Sequence, residues 1–347
     1  MRRRELLTGA VGLAAAGAMG LPQAARASSP GDPAGGLADV LYGRGPGGVE
    51  AVSLTTLRTA TARARGLFQA ARYDVLSAEL PGLISTATAT RDRAHGGERV
   101  IADALLADAY IVASGLMVKL NDDQVAWATA DRAAQAADAS GDPLLLADAR
   151  RSVATVLRRT GRAGRARTLL VNAADEIGPG KGGAPGHLSM YGTLLQTAAY
   201  TAAVDGDRSE AGELIEAARA AATRLGHDAN HRHTAFGPTN VTLYQVSIAQ
   251  VLGDNSTAIA HAESLDTARI PTAERRGRYW IDVARAWHQW GRHEQCYQAL
   301  RTAERAAPAE VRFRPPVRRM TEDLLRADRR GALPGLRAFA SRIGVPR

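Results

Sequence analysis

The segment from Arg278 to Pro308, RYWIDVARAWHQWGRHEQCYQALRTAERAAP, constrains the fold more than any other part of the chain. Trp280, Val283, Ala284 and Trp287 precede Gly291, and Leu300, Ala303 and Pro308 follow it, so apolar residues recur at helical spacing on both sides of one glycine. The pattern predicts two antiparallel helices joined by a tight turn. Small residues stand where the helices cross closely, large ones where a neighbouring hairpin is gripped, and a breaker follows the second helix. Cys296 occupies a position suited to alanine, and a small buried thiol does the same packing work.

The same register returns around other turn residues. Val153, Ala154 and Leu157 precede Gly161, with Ala166, Leu170 and Ala173 after it; Leu195, Ala198, Ala199 and Ala202 precede Gly206, with Ala211, Ile215 and Ala218 after it. Weaker copies place Ala258 and Ala262 after Gly253, and Ala126, Ala130 and Ala133 after Asn121. These offsets are those of a tetratricopeptide repeat. Successive turn marks lie 40, 45, 47 and 38 residues apart, longer than the usual spacing of about 34, so the repeats are degenerate with long joints. A further pair is expected on either side of Arg72-Tyr73, carrying Leu57, Phe68, Leu76, Leu80 and Leu83, with Pro81 weakening its second helix. Val317 to Arg326 and Gly335 to Ile343 read as a closing pair covering the last apolar face.

The expected fold is therefore all-α, a tetratricopeptide-like α-solenoid of five to six helical hairpins and a closing helix pair. Composition agrees: 45% of residues are hydrophobic but only 5% aromatic, which suits close helix approach, and no alternating β-branched run marks a strand. At 347 residues a single compact core would be large, whereas stacked units each need only their neighbours.

Net charge is +9 and the isoelectric point about 10.2. Such a balance invites a nucleic-acid reading, but the arginines (Arg150, Arg151, Arg158, Arg159, and later Arg318, Arg319) are spread along helices among acids, and no separate DNA-binding helix-turn-helix is left once the repeats are assigned. Direct DNA binding by this chain alone is not expected.

The amino terminus reads MRRRELLTGAVGLAAAGAMGLPQAARASS: a charged part (Arg2, Arg3, Arg4), a mildly apolar part from Gly9 to Leu21, and the small-residue site Ala25-Arg26-Ala27. That order is the order of a secretory signal, and Arg3-Arg4-Glu5-Leu6-Leu7 is similar to a twin-arginine export motif. The apolar part is too short for a permanent anchor, and no later run of about 18 apolar residues is evident. Residues 28–48, rich in glycine and proline, are expected to form a flexible linker, leaving 49–347 as the helical repeat domain. Gly178 to Gly183 is a second such stretch; it lacks the order of a phosphate-binding loop and reads as a joint.

The stretch Ala235-Phe236-Gly237-Pro238-Thr239-Asn240-Val241, the hairpin around Gly291 and the ending VRFRPPVRRMTEDLLRADRR…LRAFASRIGV resemble the carboxyl-terminal repeat region of actinobacterial XRE-type helix-turn-helix transcriptional regulators. In that family a DNA-binding domain comes first, and a segment like RRRELLTGA lies between it and the repeats. The resemblance implies that residues 1–27 are an internal linker of a cytoplasmic regulator; the residues themselves read as an export signal cut after Ala27. Both readings stand, with the cytoplasmic one preferred. A helix-turn-helix encoded in frame upstream of Met1 is the expectation that separates them.

No catalytic constellation is found, and neither a cofactor nor a metal is expected. His227, His231 and His233 cluster with Asp228, yet no paired cysteines or H-E-x-x-H accompany them. Binding remains. In stacked hairpins the first helix of each unit lines the concave face, and by that count Arg151, Arg158, Gln196, Tyr200, Asn240, Tyr244, Ser247, Arg278, Arg285 and His288 point into a groove. Such groups hold a peptide backbone, a carboxylate or a small signal. The chain is expected to be a non-enzymatic binding module with a peptide, small-molecule or protein ligand, and self-association is possible in such arrays.

Overall fold

A computed structural model describes residues 35–43, 49–179, 184–328 and 331–346. The export-signal or linker reading of residues 1–27 lies outside them, as does part of the 178–183 joint. Sixteen α-helices and no strand occur among the described residues.

Six hairpins make up the body. They are α2 (Leu54–Gln69) with α3 (Tyr73–Arg93), α4 (Gly96–Leu120) with α5 (Asp123–Ser140), α6 (Pro143–Arg159) with α7 (Ala163–Ile177), α8 (Pro185–Val204) with α9 (Arg208–Leu225), α10 (Pro238–Val251) with α11 (Asn255–Glu263), and α12 (Ala273–Gln289) with α13 (His293–Ala306). A short α14 (Pro308–Arg312) follows, then the closing helices α15 (Pro315–Ala327) and α16 (Leu336–Arg342). One helix precedes the hairpins: α1 (Gly35–Leu41) falls within the stretch expected to be a flexible linker and buries Leu37 and Leu41 against the first hairpins. That corrects the linker reading for these residues; two leucines four apart give the segment an apolar face to bury.

All six turns are built alike. Asn121, Gly161, Gly206, Gly253 and Gly291 have left-handed backbone, and at the first hairpin Ala71 takes the same conformation. In every turn the next amide donates to the carbonyl five residues back, from Arg72 to Leu67, Asp122 to Met117, Arg162 to Leu157, Asp207 to Ala202, Asp254 to Ala249 and Arg292 to Trp287. This closes the first helix with a left-handed C-terminal motif. Asp122, Asp207 and Asp254 then cap the second helix with a carboxylate. The first hairpin escapes a glycine search because alanine carries its left-handed turn.

The packing offsets fall inside. Ala126, Ala130, Ala133, Ala154, Ala166, Ala198, Ala199, Ala202, Ala211, Ala218, Ala258, Ala284, Ala303 and Cys296 are fully buried, and Trp280 and Trp287 pack partly buried against the last core cluster. Helix α3 runs unbroken through Pro81, since Leu76, Leu80, Ile84 and Ala87 bury on one face. Pro308 ends α13 and at once begins α14. Helix α4 is long and apolar enough to cross a bilayer by length and composition, and most of that stretch is buried among α2, α3, α5 and α6.

The solenoid closes on itself. Each first helix packs on the next, α2 on α4, α4 on α6, α6 on α8, α8 on α10 and α10 on α12, and α12 in turn meets α2. Helix α14 is wedged into the seam: Ala307, Ala309 and Phe313 join the amino-terminal core, and Gly277 of α12 lies so near that a Cβ there would stand 2.7 Å from the Ala307 methyl. Buried polar contacts tie the seam, Lys119 bonding both Glu274 and Glu310 while Tyr73 donates to Glu310.

Candidate ligand-binding site

A closed ring of first helices turns what would be an open groove into a central cavity. Its atom-free space is about 970 Å³, part of it open to solvent. Every first helix contributes: Arg65, Phe68 and Gln69 from α2; Gly115, Val118 and Lys119 from α4; Arg151, Thr155 and Arg158 from α6; Thr197 and Tyr200 from α8; Tyr244 from α10; Glu274, Arg275 and Arg278 from α12. Residues three, four and seven apart on a helix share a face, so each helix presents one stripe to the cavity.

The loop between α9 and α10 crosses the ring. Gln69 bonds Asn230 in both directions (3.1 and 2.9 Å) and donates to the His233 carbonyl (3.1 Å), while Arg232 pairs with Asp142 (2.8 Å). Arg232, His233 and Ala235 are all left-handed without being glycine, a concentration of strain held in place by these contacts. Asp228 accepts from the Thr239 amide (2.8 Å) and hydroxyl (2.7 Å) and pairs with Arg269 (3.0 Å), so it caps α10. Phe236 fills the space over Gly192, where a Cβ would stand 2.0 Å from the ring. The 235–241 stretch thus builds the strap and the start of α10. His227 and His231 stack edge to face at 6.2 Å, and His233 reaches the cavity; burial and the nearby Arg65 hold its pKa below the ordinary histidine value. No group of three or more potential metal ligands comes together among the described residues.

Charge divides the wall in two. On one side Arg65 pairs with Asp108 (2.5 Å) and Asp148 (3.3 Å), Arg151 bonds Asp148 through two nitrogens (2.9 and 2.6 Å), and Lys119 lies between Glu274 and Glu310, the latter also held by Arg314 (2.8 and 2.5 Å). Burial alone would raise the pKa of Asp148, Glu274 and Glu310, yet the adjacent cations outweigh it and hold all three below the ordinary carboxylate range.

The other side is different. Tyr200 and Tyr244 meet edge to face at 6.3 Å. The Arg158 guanidinium lies 4.9 Å from the Tyr200 ring, Arg278 5.4 Å from Tyr200 and 6.0 Å from Tyr244, and Arg275 6.0 Å from Tyr244. Among the described residues Arg158 has no carboxylate at ion-pair distance; its one side-chain hydrogen bond goes to the neutral Thr201 hydroxyl (3.0 Å). Arg278 approaches Asp282 only to 3.7 Å and Arg275 approaches Glu274 only to 3.5 Å. The titrating groups differ: burial, and to a lesser degree the neighbouring Arg278, push Arg158 below its ordinary value against the opposing Tyr200, whereas at Arg278 burial is outweighed by Asp282 and the two tyrosines, which hold it above its own. Burial should raise the Tyr244 phenol, but Arg275, Arg278, the Thr197 hydroxyl and Arg151 bring it down to about 8.

Of the ten groove residues expected from sequence, Arg151, Arg158, Tyr200, Tyr244 and Arg278 line the cavity. Gln196 and Asn240 do not; they are fully buried between helices, and their amides have no hydrogen-bond partner among the described residues. Gln196 stands one residue, about 100° of helical turn, from the cavity-facing Thr197. Ser247 is buried and donates to Asp282 (2.5 Å). Arg285 pairs with Asp282 and His288 with Asp323, two and three turns along α12 from the cavity-lining Arg278. The sequence reading missed Arg65, Lys119, Glu274 and Arg275. Charged residues on otherwise apolar first helices, as Lys119 is in α4, were the signal available.

Comparison of the chain with protein-family models, with curated proteins and with solved structures found no match.

Proposed function

We propose that this chain is a non-enzymatic ligand-binding module, the sensory or interaction part of a transcriptional regulator, and that its ligand sits in the central cavity. The carrying observation is the convergence of side chains from all six first helices on one partly enclosed space roofed by a strained strap. A ligand there touches every hairpin, so occupancy that favours one ring geometry biases the whole solenoid, and with it any surface the outer helices present. Ring closure favours a small signal, or a single chain end of a peptide or protein, over an extended partner. The regulator assignment rests on the resemblance of the 235–241 stretch, the Gly291 hairpin and the carboxyl-terminal segment to XRE-type regulators. The thiol of Cys296 lies in the core and is pushed up by burial to about 12, which suits packing and not nucleophilic chemistry.

Native mass spectrometry tests the reading. The protein incubated with a small-molecule and peptide extract of its own cells should carry one added mass, and Thr155→Trp, which fills the cavity, should carry none. A species retained by the filled variant, or no added mass on the native chain, overturns it.

A second reading keeps the same cavity in an exported scaffold, favoured by Arg3-Arg4-Glu5-Leu6-Leu7 and the site ending at Ala27. Intact mass of the protein from its native cells separates the two: a chain starting at Ser28 selects export.

A further inference from the structure

Resting on that reading, we propose that the cavity selects a small dianion, a phosphate monoester or a dicarboxylate, seated between Arg158, Arg275 and Arg278 with its organic part against Tyr200 and Tyr244. The inference comes from the imbalance between the two sides of the wall. Arg65, Arg151 and Lys119 spend their charge on Asp108, Asp148, Glu274 and Glu310 through hydrogen-bonded pairs. Arg158, Arg275 and Arg278 have no such bond to a carboxylate among the described residues, though each guanidinium offers five donors. Arg158 uses one of them, on a hydroxyl.

Of these three partly desolvated guanidiniums, Arg158 has no counter-charge and Arg275 and Arg278 have only loose ion pairs with Glu274 and Asp282 (3.5 and 3.7 Å), which is costly, and forked donors of this kind match the paired oxygens of phosphate and carboxylate. One negative charge would leave cations still facing one another, since Arg158 and Arg278 share the Tyr200 ring from 4.9 and 5.4 Å. Two charges on one ligand answer that better. The tyrosine faces are already engaged by guanidiniums, so a planar or short aliphatic group has their edges and Phe68, Val118 and Ala235 to rest on. Closure of the ring at α2, α12 and α14 limits the size of what fits.

Calorimetric titration at low ionic strength tests this with phenyl phosphate and phthalate as the two dianions, benzoate as the monoanion and benzyl alcohol as the neutral probe. At least one dianion should bind tenfold or more tightly than benzoate, with benzyl alcohol weaker still; which dianion leads tells phosphate from carboxylate. Arg158→Gln should lose tenfold or more for that dianion while keeping the helical circular dichroism and melting temperature of the parent. The exposed Arg63→Gln, whose residue pairs with Glu79 away from the cavity, should bind as the parent does. Equal affinity for benzoate and both dianions, no dianion binding, or undiminished binding in Arg158→Gln overturns the proposal. If the cell extract yields a neutral or singly charged ligand that Thr155→Trp excludes, the sensory reading stands and the dianion inference falls.

Discussion

The two sides of the cavity wall use the same residue types to opposite ends. Around Asp148, Glu274 and Glu310 every cation is matched, and the contacts also join α2 to α6 and α4 to α12 and α14. Around Tyr200 and Tyr244, Arg158 is met only by a hydroxyl and a ring face, and Arg275 and Arg278 by ring faces and loose ion pairs at 3.5 and 3.7 Å. A buried charge that is fully paired is structural, because removing its partner strands it; one that lacks a partner is available to something that arrives later. Arginine count alone therefore says little about where a ligand goes.

Breaking the matched side should have the largest effect. Glu310→Ala strands Arg314 at the seam and leaves Lys119 with Glu274 alone, and Asp148→Ala strands Arg151 and leaves Arg65 with Asp108 alone; each should cost about 3–5 kcal/mol in urea unfolding. The same side should fail in acid. Its carboxylates titrate lower in the folded than in the unfolded chain, so their contribution is full above the ordinary carboxylate pKa and is lost as pH falls through the depressed folded values.

Gly277→Ala probes the seam without touching charge. The added methyl meets Ala307 at 2.7 Å and Glu310 at 3.1 Å, and the overpacking should cost about 1–3 kcal/mol by the same measurement.

Tyr244→Phe sharpens the contrast on the other side. Because its phenol is lowered to about 8 against an ordinary value near 10, the native chain should gain about 1 kcal/mol relative to Tyr244→Phe between pH 7 and pH 9, the gain appearing as pH rises through 8. Thermal or urea unfolding of the pair at both pH values reads the difference directly. Dianion affinity should also fall above pH 8 in the parent, as a phenolate competes for Arg275 and Arg278, and fall less in the variant.

The smallest effect is expected where a half-buried arginine is removed from the unmatched side. Arg158→Met should change stability by less than about 0.5 kcal/mol, or raise it, since lost ring and hydroxyl contacts are offset by relief of a desolvated charge. A loss of several kcal/mol would put Arg158 on the structural side of the wall and dissolve the distinction.

Much of the architecture was legible along the chain. Local signals carried it: five left-handed turn residues, alanines at packing offsets, and a tryptophan-rich last hairpin. The first turn was placed at Arg72-Tyr73 by apolar spacing, though the left-handed backbone of Ala71 could not be read from its residue type, and α1 was hidden by its glycine-rich surroundings. The site was legible in part. Arg151, Arg158, Tyr200, Tyr244 and Arg278 could be placed on the inner side by helical phase, but Gln196 and Asn240 could not be told from cavity residues, because one residue of phase separates facing the lumen from facing the next helix.

By itself the sequence determined that helices pair, where they turn and which small residues let them approach, because those choices depend on neighbours within a few residues or one hairpin. Tertiary structure alone decided that α12 meets α2, that Glu310 reaches Lys119 and Tyr73, and that the 226–237 loop spans to Gln69. Those contacts join residues 150 to 240 positions apart, and whether they form depends on the accumulated angle of six hairpins. A small rotation at each joint, invisible in any single repeat, sets whether the array stays an open ribbon or closes around a cavity.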